Sequence, residues 1–159
     1  MSVTVLLPMS ADKNPLDEMI GLAITITTSS ERYYRKAADK AEMPEVIALL
    51  SVLADSESEL ITQLHHMNLS GIVDELDELE NAEDRDEVPI DIPFDPSREG
   101  TDPRIFVCNN ALKKEIKGYT FFLTLAARAK STLVSRLFEY LAHLKMLQVK
   151  RIRKICGSF

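Results

Sequence analysis

Apolar residues recur along the chain at alternating spacings of three and four, the period of an α-helix. Four such stretches stand out, each roughly 25 residues long. The first is predicted over about residues 15–40, with Leu16, Ile20, Ile24, Tyr34 and Ala38 in register. Asn14 is placed to cap it, and Pro15 suits the first helical position. The second covers about 44–68, with a stripe of Val46, Leu50, Leu53, Leu60, Leu64 and Met67. The third covers about 103–130, capped by Asp102, with Cys108, Leu112, Tyr119, Phe122 and Ala126. The fourth covers about 131–155, with Val134, Leu137, Leu141, Leu144, Ile152 and Ile155. Four long helices with one short link in each half read as an all-α bundle.

The segment between the second and third helices, about residues 71–102, has another composition. Residues 74–87 carry nine carboxylates against Arg85, and Ile72 to Glu80 is compatible with a short helix. The following VPIDIPFDPSREGTDP contains four prolines and should be extended and irregular. A long crossover of this kind is needed when the second and third helices of a bundle run parallel. The other reading is an acidic linker between two separate hairpins.

The two halves match at one constant offset of 88 residues, without a gap. Tyr34 falls on Phe122, Ala38 on Ala126, Val46 on Val134, Leu49 on Leu137, and Leu53-Ala54 on Leu141-Ala142. Each half is then one helical hairpin, and the whole chain, 1–159, is a single domain.

Two polar residues interrupt these apolar stripes, Glu57 in the second helix and Glu115 in the third. A carboxylate on a buried stripe is costly unless it is paired or binds a metal. With SERYYRKAADKAEMPEVIALLSVLADSESEL in the first half and KKEIKGYTFFLTLAARAKSTLVSRLFEYLAHLKMLQ in the second, the chain resembles the rubrerythrin-like branch of the ferritin-like superfamily. The resemblance covers about four-fifths of the chain and implies a ferritin-like four-helix bundle of two repeated hairpins. It also implies where a di-iron centre would lie. The family takes one Glu from each of two helices and Glu-x-x-His from each of the other two. Here the first-helix position, seven before Tyr34, is Thr27. The second-helix motif falls on Glu57 and Leu60, the third-helix Glu on Glu115, and the fourth-helix motif on Lys145 and Gln148. Two of six ligands remain, Glu57 and Glu115. The paired CxxC motifs of a rubredoxin module are missing.

Iron prefers several anionic oxygens and imidazoles, and a lysine among them makes a poor site. The expectation is a buried Glu57–Lys145–Glu115 cluster, with Thr27, Tyr119 and Gln148 donating hydrogen bonds, and no cofactor. Tyr34 is expected to pack in the interior. The alternatives are that Lys145 runs out to solvent, or that substitute ligands keep a metal on Glu57 and Glu115. For the latter, Glu31 would have to turn inward. His143 should point to a different face, and His65 and His66 read as helix-end or surface residues.

Composition narrows the functional classes. The formal net charge is -6, which opposes a general nucleic-acid binder. Five glycines include no phosphate-binding loop. No apolar run is long enough to span a membrane, and MSVTVLLPMS lacks the basic start of a signal peptide. Cys108 and Cys156 read as free thiols, Cys108 inert on its stripe and Cys156 more exposed, so a cytoplasmic location is expected. The basic C-terminus, with Lys150, Arg151, Arg153 and Lys154, reads as a solvated helix end or a dock for an acidic crossover.

The leading functional expectation is a ferritin-like protein that has lost di-iron chemistry and acts as a structural or interaction module. Spare apolar residues at Ile47, Val52, Phe121, Leu123, Phe138 and Tyr140 suggest a homodimer. The second expectation is a non-haem iron oxidoreductase with rearranged ligands, reducing peroxide or handling iron. The third is a binder that meets a basic protein partner through the acidic crossover.

Overall fold

A computed structural model describes residues 15–67 and 69–159. Asn14 and the MSVTVLLPMS stretch lie outside these residues, as does residue 68. The described residues form five helices: α1 Pro15–Lys40, α2 Pro44–His66, α3 Leu69–Asn81, α4 Pro103–Arg128 and α5 Thr132–Cys156. The fold is all-helical among them. Among the described residues, no helix is long and apolar enough to cross a membrane.

Local chemistry sets the ends. The Asp102 carboxylate accepts from Arg104 N at 3.0 Å, and Pro103 follows it, so α4 starts where its orphan donors find a partner. Ser131 Oγ accepts from Val134 N at 3.4 Å at the head of α5. Proline opens α2 at Pro44, and two histidines close its last turn, where the helix dipole favours cations. The helix ends at His66, and Met67 N–H bonds the Leu64 carbonyl at 3.2 Å.

Helix α1 packs along α2 and α4 along α5, forming two hairpins, while α2 touches both α4 and α5. Two apolar clusters fill the interior. One gathers Ile20, Ala23, Leu64, Phe122, Leu137 and Leu141. The other gathers Tyr34, Leu49, Leu53, Leu112, Val149 and Ile152. Residues 88 apart are buried alike, as with Leu49 and Leu137 or Leu53 and Leu141.

The crossover differs from its expectation in detail. Helix α3 begins at Leu69 and runs to Asn81, longer than Ile72–Glu80. It packs on α5 through Leu76, beside Phe138, which stacks on Phe122 with ring centroids 6.1 Å apart. Tyr140 lies beneath the same helix, where its hydroxyl donates to Glu75 at 3.2 Å and accepts from Gln63 at 3.2 Å. Phe138 and Tyr140 are therefore buried and supply no spare apolar surface, correcting the expectation. Ile47, Val52, Phe121 and Leu123 are exposed.

The crossover docks on its own chain's basic helix. Arg136 reaches Glu80 at 2.7 Å, and Lys150 reaches Glu87 at 3.2 Å. The buried Asn109 side chain bonds both backbone groups of Phe94, accepting from its N–H at 2.7 Å and donating to its carbonyl at 3.0 Å. That pairing satisfies an otherwise orphaned stretch of backbone in a segment without a ladder partner.

The cysteines are not free. Cys108 in the first turns of α4 and Cys156 at the end of α5 form a disulfide. Both are buried, which corrects the reading of Cys156 as exposed and oxidisable. Sequence periodicity placed Cys108 on the third helix and left Cys156 just past the fourth, and it could not show that the two helix ends meet. Disulfides persist in oxidising environments, so the cysteines no longer argue for a cytoplasmic location.

Candidate functional site

Between the two apolar clusters lies a polar level. Thr27 and Ser30 of α1, Glu57 of α2, Glu115 of α4, and Lys145 and Gln148 of α5 are all buried there. Each helix carries these residues between apolar turns, so the surrounding leucines and aromatics seal the level from both ends.

Lys145 occupies its centre. Its ammonium donates to Glu57 Oε1 at 3.2 Å and to Glu115 Oε1 at 3.1 Å. The Lys145 side chain is 7% exposed, Glu57 3% and Glu115 0%, so it does not reach solvent. Its stem runs past Gly118 of α4. A Cβ at that position would stand 3.2 Å from Lys145 Cδ and Cε, so the missing side chain makes room for the lysine. A glycine inside a helix otherwise costs about 0.5–1 kcal/mol relative to alanine.

The hydrogen-bond donor to the cluster is Tyr34. Its hydroxyl donates to Glu115 Oε2, which leaves both oxygens of that carboxylate engaged. The aromatic spacing placed Tyr34 in the interior, but only the packed structure shows that its phenol tip reaches across to α4. The three side chains expected to donate do not. Thr27 Oγ1 turns back to its own helix and donates to the Ala23 carbonyl at 2.7 Å. Gln148 Nε2 is buried without a partner. Tyr119 is half-buried against the other apolar cluster. Leu60, at the second-helix His position, is a half-buried apolar residue.

The substitute ligands stay away. Glu31 pairs with Arg35 at 3.6 Å on the surface of α1. His143 faces Asp84 at 3.6 Å, and burial pulls its imidazole below the usual range. His65 and His66 are exposed at the end of α2.

Electrostatics follow from two carboxylates sharing one ammonium. Burial raises the Glu57 carboxyl above the usual range, opposed by Lys145 and reinforced by Glu115. Its second oxygen, Oε2, is buried with no partner. Burial works against the Lys145 ammonium, but Glu115 and Glu57 together outweigh it and hold its pKa up. Burial, then the Glu115 charge and hydrogen bond, push Tyr34 well above the normal phenol range. Burial thus favours the protonated forms of Glu57 and Tyr34, while the two carboxylates favour the charged form of Lys145.

Two cavities flank this level. One of about 190 Å³ lies between α2 and α5 against Glu57, Lys145 and Gln148, with Arg151 on its lining. The other, about 440 Å³ and mostly apolar, lies against the Tyr34 ring. Among the described residues, no three His, Cys, Asp or Glu side chains come together as a metal-holding group. An ammonium bonded to one oxygen of each carboxylate leaves a donor set that does not fit a pair of iron ions.

No family model, no curated protein and no solved structure matches the chain.

Proposed function

We propose that this chain is a ferritin-like, rubrerythrin-like four-helix bundle of two repeated hairpins, in which a Glu–Lys–Glu cluster stands where a di-iron centre would be. It acts as a structural or interaction module rather than an oxidoreductase, and it works as a homodimer. The observation that carries this reading is the Lys145 ammonium, 3.2 Å from Glu57 and 3.1 Å from Glu115, on a level sealed between two apolar clusters. A charge inside the protein must be compensated, and here the lysine compensates the carboxylates that would otherwise recruit a metal. The acidic crossover spends much of its charge on Arg136 and Lys150 of its own chain, which leaves less of it for a basic partner.

Metal analysis after anaerobic ferrous loading tests the reading. Near-zero iron is expected, and about two iron ions per chain held by Glu57 and Glu115 would overturn it. The combined change Thr27→Glu, Leu60→His, Lys145→Glu and Gln148→His should create metal affinity in a folded protein. Failure of that folded variant to bind iron would sink the alignment with the family.

A further inference from the structure

Glu57 and Gln148 are both buried, and each ends in a polar atom without a protein partner among the described residues. The atoms are Glu57 Oε2 and Gln148 Nε2, an oxygen and an N–H donor. Buried polar groups in native interiors are nearly always paired, so two unpaired ones at one place call for a partner from outside the chain. Both residues line the cleft of about 190 Å³ between α2 and α5. Their polar neighbours on that lining are engaged elsewhere. Lys145 donates to Oε1 of Glu57 and of Glu115. Gln63 gives its amide to the Tyr140 hydroxyl at 3.2 Å. At the rim, Arg151 donates to Ser56 Oγ and ties α5 to α2.

The rest of the lining is largely apolar, with Leu60 of α2 and Leu144 and Leu147 of α5. Leu147 is exposed, so the cleft opens to solvent on its side. A cavity of about 150 Å³ admits benzene, so a cleft of about 190 Å³ suits a ring bearing one small polar group.

We propose that this cleft binds a small neutral molecule carrying a primary carboxamide on an apolar body. The body lies against Leu60, Leu144 and Leu147, and the amide meets Glu57 Oε2 and Gln148 Nε2. A primary amide holds a donor and an acceptor on adjacent atoms. Its carbonyl accepts from Gln148 Nε2. Its N–H donates to Glu57 Oε2 when that group is a carboxylate. Where Glu57 is protonated, Oε1 stays with Lys145 and Oε2 carries the proton, and the same carbonyl accepts from it. Other classes satisfy fewer of these groups. A purely apolar ligand leaves both atoms buried and unpaired. An anion adds charge to a level where two carboxylates share one ammonium. A cation faces the donors of Gln148, Lys145 and Arg151 on the lining. The inference rests on the Glu–Lys–Glu reading above, because Glu57 Oε2 must be free of metal to receive the amide.

Benzamide titrated into the full chain at neutral pH tests it, followed by two-dimensional NMR of the side-chain amides. Toluene, benzoate and benzylammonium serve as the apolar, anionic and cationic counterparts. Benzamide should shift the Gln148 amide resonance saturably and bind tighter than each counterpart by about tenfold or more, the worth of a hydrogen bond to a buried group. Gln148→Leu should weaken benzamide by a similar factor and leave toluene no weaker. Leu147→Trp, at an exposed wall position, should narrow the cleft and weaken benzamide and toluene alike. Benzamide that does not saturate, that binds no better than toluene or benzoate, or that ignores both variants would overturn the site. Iron analysis of the same samples keeps the two readings apart. About two iron ions per chain on Glu57 and Glu115 would remove the Glu–Lys–Glu reading, whereas iron-free protein that does not bind benzamide would remove the amide site alone.

Discussion

Lys145 and Glu57 are 88 residues apart in the chain and 3.2 Å apart in the interior. That separation equals the 88-residue offset expected from the sequence, and the two residues lie on α5 and α2. Glu115 and Thr27 are related in the same way, on α4 and α1. All four are buried, and the unlike charges of Lys145, Glu57 and Glu115 make the pairing possible.

Removing the cation leaves two buried carboxylates uncompensated. Lys145→Met should cost about 3–5 kcal/mol at neutral pH, read from urea denaturation. Combining it with Glu57→Gln and Glu115→Gln should recover much of that loss, because no naked charge then remains. A small effect of Lys145→Met alone would mean the cluster is not formed.

Gly118 provides an indirect route to the same group. A valine there meets the Lys145 stem, whose Cδ and Cε lie 3.2 Å from the Cβ position. Gly118→Val should destabilise by displacing the ammonium from its carboxylates. Its effect should be strongly non-additive with Lys145→Met in a double-mutant cycle, since both act on one interaction. Simple additivity would show that the glycine does not serve the lysine.

Tyr34→Phe removes one hydroxyl and leaves Glu115 Oε2 without its donor. A hydrogen bond to a charged group is worth about 1.5–3 kcal/mol, and a loss of that size is expected in the denaturation midpoint. A neutral outcome would mean that water replaces the phenol, which the burial of Tyr34 argues against.

The pH dependence has a defined sign. Glu57 has a raised pKa in the folded state, so the stability it contributes is full below the ordinary carboxylate range and is lost as pH rises through its folded value. Wild type minus Glu57→Gln should therefore fall between acidic and neutral pH. Lys145 and Tyr34 are raised as well, so their contributions are full below about pH 10 and vanish as pH climbs through their folded values. In a tyrosinate absorbance titration, Tyr140, pushed up to about 12, and Tyr34 should both ionise late, and Tyr34→Phe should remove one of these two late phases.

The two cysteines close a loop of sequence separation 48. Reduction, or Cys108→Ala with Cys156→Ala, should lower stability by about 2–4 kcal/mol. Thiol titration of the unfolded, unreduced chain should find no reactive sulfur; two reactive thiols would remove the bond.

Helical period, proline positions and the Asp102 cap made the long helices readable, because each is a local property. The Glu57–Lys145–Glu115 contact was also readable, because the apolar stripes marked Glu57 and Glu115 as costly and the resemblance placed Lys145 beside them. What escaped depended on how surfaces turn in space. The Tyr34 hydroxyl reaches a helix 81 residues away in sequence, and nothing in its local pattern tells a packing ring from a donor. Gly118 looks like an ordinary helical glycine until the Lys145 stem lies against it. Phe138 and Tyr140 lie off the interior stripe, and they are covered only because α3 folds back over α5.

The cation at the centre of this molecule is covalently attached to the chain. A tethered ammonium cannot be stripped by a chelator, exchanged for a competing ion, or withheld when a nutrient runs short. The pairing of Lys145 with Glu57 and Glu115 is completed in the act of folding, by groups the chain itself carries.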